Sequence, residues 1–328
     1  MFCKKPSKCL IILLIFFGIY FFKFAKHYPS DINLEAPNNF WGLTFSTKYS
    51  EELGLNYKEV YLAILNDLNI KNIRLPIYWD QIEKKEDIFD FSIFDELIEL
   101  GNDYNIKYII NIGWRLPRWP ECHAPDWVNG KEKERILIML EEVVNHYKDY
   151  DNIIAWQIEN EPLLDTFGIC PDGDEELLKQ EINLVKSLDE RDIIISASGE
   201  LSSWKREAKL ADIFATTIYR VVYNSWFGYF KYPLPSIFYN YKANFNKIDK
   251  IIISELQLEP WMPDNVIMKN LIKKEKDKSL NLEQMKANLQ FAINTNFEQA
   301  YLWGVEWWYY EKVNNNSIFW EFIKDQLK

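Results

Sequence analysis

The sequence predicts an α/β fold: a single (β/α)8 TIM barrel preceded by an N-terminal membrane-anchor helix. Three observations lead there. Eight short apolar runs alternate with amphipathic segments from Asn39 to the C-terminus. Continuously apolar strands interleaved with helices form a parallel sheet covered on both faces, and eight such units at this length close into a barrel. Ahead of them stands an unbroken apolar run, Leu10 to Phe22, behind Lys4, Lys5 and Lys8. The rival, an open doubly wound sheet, usually has fewer strands and a Gly-rich first turn. No GxGxxG or Walker A pattern occurs here, which also argues against nucleotide binding.

The first elements concern the membrane. Residues 1–9 are a short basic tail and 10–26 the apolar segment. The run is short for a spanning helix and suits a signal peptide. No small-x-small cleavage site follows it, and Lys23 can snorkel, so Cys9 to Ala25 can span. An uncleaved signal anchor is therefore expected over a cleaved peptide. The body then lies outside the cytoplasm, membrane-anchored, the alternative being secretion. Residues 27–38 are a stalk and 39–328 the barrel domain.

Within the barrel, strand one is read at Asn39–Ser46 and a helix at Tyr57–Asn69, with Val60, Ile64, Leu65 and Leu68 at helical spacing. Strand two is Asn72–Tyr78, followed by a helix over Ile93–Leu100. Strand three is Lys107–Gly113, and Lys133–Tyr147 is an amphipathic helix. Strand four is the β-branched and aromatic run Ile153 to Ile158, closed by Asn160-Glu161-Pro162. Pro162 is expected to hold Glu161 in extended geometry at the strand tip. Helix Glu175–Leu188, strand five Asp192–Ala197, a short helix Trp204–Leu210, strand six Asp212–Tyr219 and helix Ser236–Phe245 follow. Strand seven, Lys250–Glu255, again ends in a glutamate. Helix Leu282–Ile293, strand eight Ala300–Val305 and a last helix containing Ile318–Ile323 complete the count.

Composition narrows the chemistry. The net charge of −11 argues against a nucleic-acid partner. Only 3 His occur in the chain, too few at strand ends for a metal hydrolase. No Lys ends a strand convincingly, as a Schiff-base aldolase needs. No metal or cofactor is expected, and the domain reads as a monomer. The 13 Trp, 19 Tyr and 21 Phe are sufficient for a heavy aromatic core and for loop aromatics that stack on sugar rings.

In a parallel barrel all strand C-termini meet at one face. That face collects Arg74 from strand two, Trp79 after it, Trp114 after strand three, and Asn160 and Glu161 from strand four. It also collects Glu200, Tyr219, Glu255, Glu259, Trp261, Trp303, Glu306 and Trp307. Two strand-tip glutamates in a bowl of aromatic faces suit a double-displacement glycosidase. Glu159 alternates onto the same side as Glu161 and is read as a core hydrogen-bonder.

These residues resemble the retaining glycoside hydrolases of clan A, the 4/7 superfamily, and within it family 5, the cellulase and mannanase relatives. Asn160-Glu161-Pro162, Glu255, Arg74, Tyr219 and Trp303 carry the resemblance, which spans the whole barrel. It implies an O-glycosidase acting by double displacement with retention on an oligo- or polysaccharide. Glu161 is then the general acid/base and Glu255 the nucleophile, held by Arg74 and the Tyr219 hydroxyl. Asn160 is implied to bind the sugar 2-hydroxyl, and Trp303 to floor the −1 subsite with a cis Trp303–Gly304 peptide. Trp79, Trp114, Trp261, Trp307 and Glu200 are candidates for further sugar contacts. Two departures stand out: Thr217 occupies the place of the usual histidine two residues before Tyr219, and Gly113-Trp114 stands where a histidine normally follows strand three. The alternative is a non-catalytic glycan-binding barrel that keeps the aromatic bowl.

Cys122 and Cys170 fall in the loops after strands three and four. These loops rise side by side, so outside the cell the two thiols are expected to form a disulfide.

Overall fold

The structure, a computed structural model, describes residues 34–263 and 266–327. Eight parallel strands close a barrel: β1 (Trp41–Thr44), β2 (Asn72–Pro76), β3 (Lys107–Ile112), β4 (Ile153–Ile158), β5 (Asp192–Ala197), β6 (Ile213–Ile218), β9 (Ile251–Gln257) and β10 (Ala300–Trp303). β10 returns to pair with β1, so no barrel edge is left unpaired. Between β6 and β9 stands an antiparallel hairpin, β7 (Val221–Asn224) and β8 (Gly228–Lys231). The basic tail, the expected anchor and the stalk up to residue 33 lie outside the described residues. Among the described residues no helix is long and apolar enough to cross a membrane.

Strand alternation explains how the barrel holds its site. Side chains two apart point to the same face. Ile109, Ala155, Ile194, Ala215, Ile252 and Tyr301 form a closed apolar cluster inside the barrel. Two residues further along four of these strands come Asn111, Gln157, Ser196 and Thr217, all buried. The same inward periodicity thus lays a polar layer directly above an apolar plug. The opposite strand faces, with Ile110, Trp156, Ile193 and Ile195 among them, join the helices in one large outer core.

Several expected elements differ. The segment Trp204–Leu210 holds only a 3-10 turn at Glu207–Lys209. Strand eight stops at Trp303, because Gly304 takes φ 120° and starts the helix Val305–Val313. Glu306 and Trp307 are therefore helical. Glu161 is not extended: its φ is +48°, and that of Glu159 is +59°. The chain coils out of β4 instead of running straight, and tertiary hydrogen bonds override the local bias from Pro162.

Candidate active site

Glu159 and Gly113 form the foundation. The Glu159 carboxylate accepts the backbone N–H groups of Trp114, at 2.7 Å, and of Arg115. Gly113 has φ 147°, and a Cβ there would lie 2.6 Å from the Glu159 carboxyl, so only glycine lets the carboxylate pin this loop. Glu159 is thus a structural hydrogen-bonder at the strand exit. Its burial pushes the carboxyl up to about 7.

Arg74 is wholly buried and spends its donors on four oxygens. Nε donates to Gln157 at 2.7 Å, Nη1 to Glu255 at 2.9 Å, and Nη2 to Asn111 at 3.0 Å and Asn160 at 2.8 Å. The second Glu255 oxygen accepts the Tyr219 hydroxyl at 2.7 Å. Glu255 is therefore ion-paired and oriented from two sides, which fixes the direction of its lone pairs.

Among the described residues Glu161 forms no ion pair, and Arg115 acts on it only as a nearby charge. Its N–H donates to Ser196 Oγ at 2.9 Å, and its Oε1 accepts the Thr217 hydroxyl at 2.9 Å. Burial, then the nearby Glu255 charge, pushes its carboxyl up to about 8. Asn160 Oδ1 is taken by Arg74 and by Ser196 Oγ at 3.3 Å, which leaves its Nδ2 as the group facing Glu121 at 3.4 Å. This amide is positioned to donate.

Tyr219 touches the Trp261 ring edge-on at 5.2 Å, and Trp261 touches Phe167 at 5.8 Å. The half-buried Trp114 follows β3, its N–H held by Glu159. Trp303 lies at the end of β10 and is almost buried. Its face carries the Arg118 guanidinium, 3.9 Å from the ring centroid, which is sandwiched against Tyr49 at 3.6 Å on the other side. Arg118 also bonds Glu259, and Glu306 at 2.8 Å.

Some expected contacts need correction. Trp79 and Trp307 are fully buried and have no surface for a sugar. The Trp79 indole donates to Glu83 at 2.6 Å, and Trp307 packs on Phe319. Both follow from short helices that turn these rings into the core. The Glu200 carboxylate is occupied by the Tyr219 N–H at 3.1 Å and the Tyr239 hydroxyl at 2.5 Å, so it supports Tyr219 from behind. Trp303–Gly304 is not cis; among the described residues the cis bond is Trp119–Pro120. A glycine φ makes that turn instead. Glu259 and Glu306 serve the Arg118 cluster.

Sequence reading missed Arg118 and Glu121. Glu121 is a further buried carboxyl, pushed well up by burial and by Glu255, with Asn160 as side-chain partner. Its neighbour Cys122 is bonded to Cys170, with Cα atoms 5.5 Å apart, as the loop adjacency predicts. That expected staple was the available signal that the loop containing Glu121 lies over the site.

A closed parallel barrel with Asn-Glu leaving its fourth strand, and an Arg- and Tyr-held Glu on its seventh, has the site architecture of the clan A glycosidases. The chain belongs to glycosyl hydrolase family 5: the family's cellulase model matches residues 32–228. Solved structures agree on the fold. A β-glucanase from Saccharophagus degradans superposes with TM-score 0.57 at 16% identity, over 92% of this chain and 98% of that one. A cold-adapted β-galactosidase from Rahnella sp. R3 gives TM-score 0.55 at 11% identity, over 80% of this chain. The chain spans about half (50%) of that β-galactosidase's length. No curated protein sequence matches the chain.

Proposed function

We propose that this chain is a retaining glycosidase that cleaves β-linked O-glycosides by double displacement. The observation that carries the reading is the contrast between its two glutamates. Glu255 is paired with Arg74 and Tyr219, whereas Glu161 is desolvated, forms no ion pair among the described residues, and holds its proton up to about pH 8. Environments that split two neighbouring carboxyls in this way assign the acid and the nucleophile.

In the first step Glu255 attacks the anomeric carbon while Glu161 gives its proton to the leaving oxygen. The glycosidic C–O bond breaks and a glycosyl ester to Glu255 forms. The freed Glu161 carboxylate then takes a proton from water, whose oxygen displaces Glu255 and returns the original configuration. Asn160 Nδ2 donates to the 2-hydroxyl, and Trp114 and Trp261 offer faces to flanking sugars. The substrate is an oligo- or polysaccharide, and the similarity to a β-glucanase supports a β-glucan as the first to try. The membrane anchor and the extracytoplasmic placement belong to the same reading.

The test is hydrolysis of aryl β-glucosides, mannosides, xylosides and galactosides by wild type, Glu161→Gln and Glu255→Ala. On an activated aryl glycoside, azide should revive Glu161→Gln and give the β-glycosyl azide; with Glu255→Ala it should give the α-azide. Early products of the wild type should show the retained anomer by proton NMR. An inverted first product would overturn the mechanism.

A further inference from the structure

We infer that the excursion between β6 and β9 is a docking face for the headgroup region of an anionic bilayer. The hairpin β7–β8 carries Trp226 and Phe227 at its tip, 87% and 84% exposed. The helix that follows, Ser236–Phe245, buries Tyr239 and Ala243. Its outward side, where a barrel helix ordinarily presents polar residues, shows Ile237, Tyr241 and Phe245, 52%, 67% and 84% exposed at positions i, i+4 and i+8. Isolated apolar residues on a surface need no explanation, but six within one short excursion, Phe238 being the sixth, mark an interaction site.

Charge identifies the partner. No Asp or Glu occurs from Ile213 to Ile248, in a chain of net charge −11. Of its cations, Arg220 is buried against Phe291 and Lys242 is held by the Gly199 carbonyl, which leaves the half-buried Lys231 and the exposed Lys247 as its surface charge. The one other acid-free stretch of comparable length is Met1 to Ser30, which contains the expected anchor Leu10–Phe22. Elsewhere the domain's acidic surface is repelled by anionic lipid; this excursion brings no acid of its own, and Glu275, which meets Tyr229 of the hairpin, is paired with Lys278 at 2.8 Å. Trp and Phe beside Lys is the composition of interfacial membrane segments. A sugar platform would favour aromatic rings with polar edges, whereas Ile237, Phe227 and Phe245 offer no hydrogen bond.

The hairpin is a fixed projection. Gln257 Oε1 accepts the N–H groups of Arg220 and Val221 at 2.8 and 2.9 Å, and its Nε2 donates to the Val221 carbonyl at 2.6 Å. Gln257 lies on β9, two residues past Glu255. Docking the tip would therefore set the cleft mouth beside the lipid surface.

The test uses the full chain in phosphatidylcholine vesicles with and without phosphatidylglycerol. Spin labels are placed by Trp226→Cys, Tyr241→Cys and, as a control on a distant exposed helix, Glu142→Cys. Cys3 and Cys9 are changed to Ser, and the Cys122–Cys170 disulfide is kept. Collision with oxygen relative to a water-soluble nickel complex should rise severalfold at 226 and 241 when phosphatidylglycerol is present, and not at 142. Unchanged thermal unfolding shows that each labelled chain is folded. Three results overturn the inference: labels at 226 and 241 as aqueous as the control, immobilisation only on adding a soluble β-glucan, or dipolar broadening between copies without a lipid-like signal.

Discussion

The Thr217 hydroxyl donates to Oε1 of Glu161 at 2.9 Å, reaching from β6 over the intervening β5. Thr217 also stands opposite Glu255 in the β6–β9 ladder, at a register shift between Thr216 and Thr217. An irregularity of this kind re-aims side chains near sites. One threonine therefore bonds Glu161, the proposed acid, while its backbone neighbours Glu255, the proposed nucleophile, in the place where relatives of this family usually carry histidine. Its hydrogen bond lowers the Glu161 carboxyl against the upward push of burial. Thr217→Val should move the alkaline limb of the pH–rate profile to higher pH. An unmoved limb would mean that this bond does not tune the acid.

Glu161 must be protonated to donate, so activity should fall as pH rises through about 8. A kcat/KM profile on an aryl glycoside with a poor leaving group measures this. Glu161→Gln should lose the limb altogether. With a highly activated leaving group that needs no protonation, the substitution should cost far less in the first step.

Arg74→Met would leave oxygens of Gln157, Asn111, Asn160 and Glu255 without their donor in a fully buried place. Removing one partner of a buried ion pair costs about 3–5 kcal/mol, so urea unfolding should shift by that order. Tyr219→Phe removes one donor to Glu255 and leaves the ring on Trp261. Its unfolding midpoint should barely move while kcat falls by about 10²-fold, the order seen when one preorganised donor is lost.

The Cys122–Cys170 bond closes a loop with sequence separation 48. A loop of this size restricts the unfolded chain enough to stabilise the fold by about 4 kcal/mol. Cys170→Ser, or reduction, should lower stability by that order. KM should also rise, because the same loop carries Glu121 beside Asn160. Unchanged KM in the reduced protein would separate the staple from the site.

What could be read from the chain follows from range. Apolar strands such as Asp192–Ala197 and long periodic helices such as Glu175–Leu188 are local patterns, and both are found with those bounds. Glu161, Glu255 and Arg74 were legible because a barrel delivers strand tips to one face. Helices of four to six residues, Trp79–Ile82 and Thr47–Glu52 among them, are too short to display a period. Arg118 and Glu121 sit in a loop at φ 83° and 78°. Their partners, Glu259, Glu306 and Asn160, are distant in sequence, and no local signal encodes them. The β7–β8 hairpin had a readable turn around Gly228, yet a surface excursion from a parallel barrel has no fixed position in the strand–helix alternation.

Stability should rise as pH falls from about 9 to about 5, opposite to the usual acid-labile behaviour. Three buried glutamates carry the argument. Burial raises Glu159 to about 7, Glu200 to about 7 and Glu161 to about 8, against an ordinary value of 4.5. Between 4.5 and those values the folded chain keeps protons that the unfolded chain has released. The folded state then binds more protons, so unfolding free energy decreases with rising pH across this window and levels off once the folded carboxyls have also ionised. Below about 4.5 both states are protonated at these sites and the three contribute no further slope, while carboxylates held in ion pairs, such as Asp67 beside Lys312, begin to cost stability. Thermal unfolding across this range, in one ionic strength, measures the slope. Glu161→Gln replaces the titrating carboxyl by a neutral amide and should flatten the part nearest pH 8. Wild-type and Glu161→Gln midpoints that run parallel between pH 6 and 9 would show that Glu161 is already ionised in the folded barrel, and the proton assigned to it would be lost.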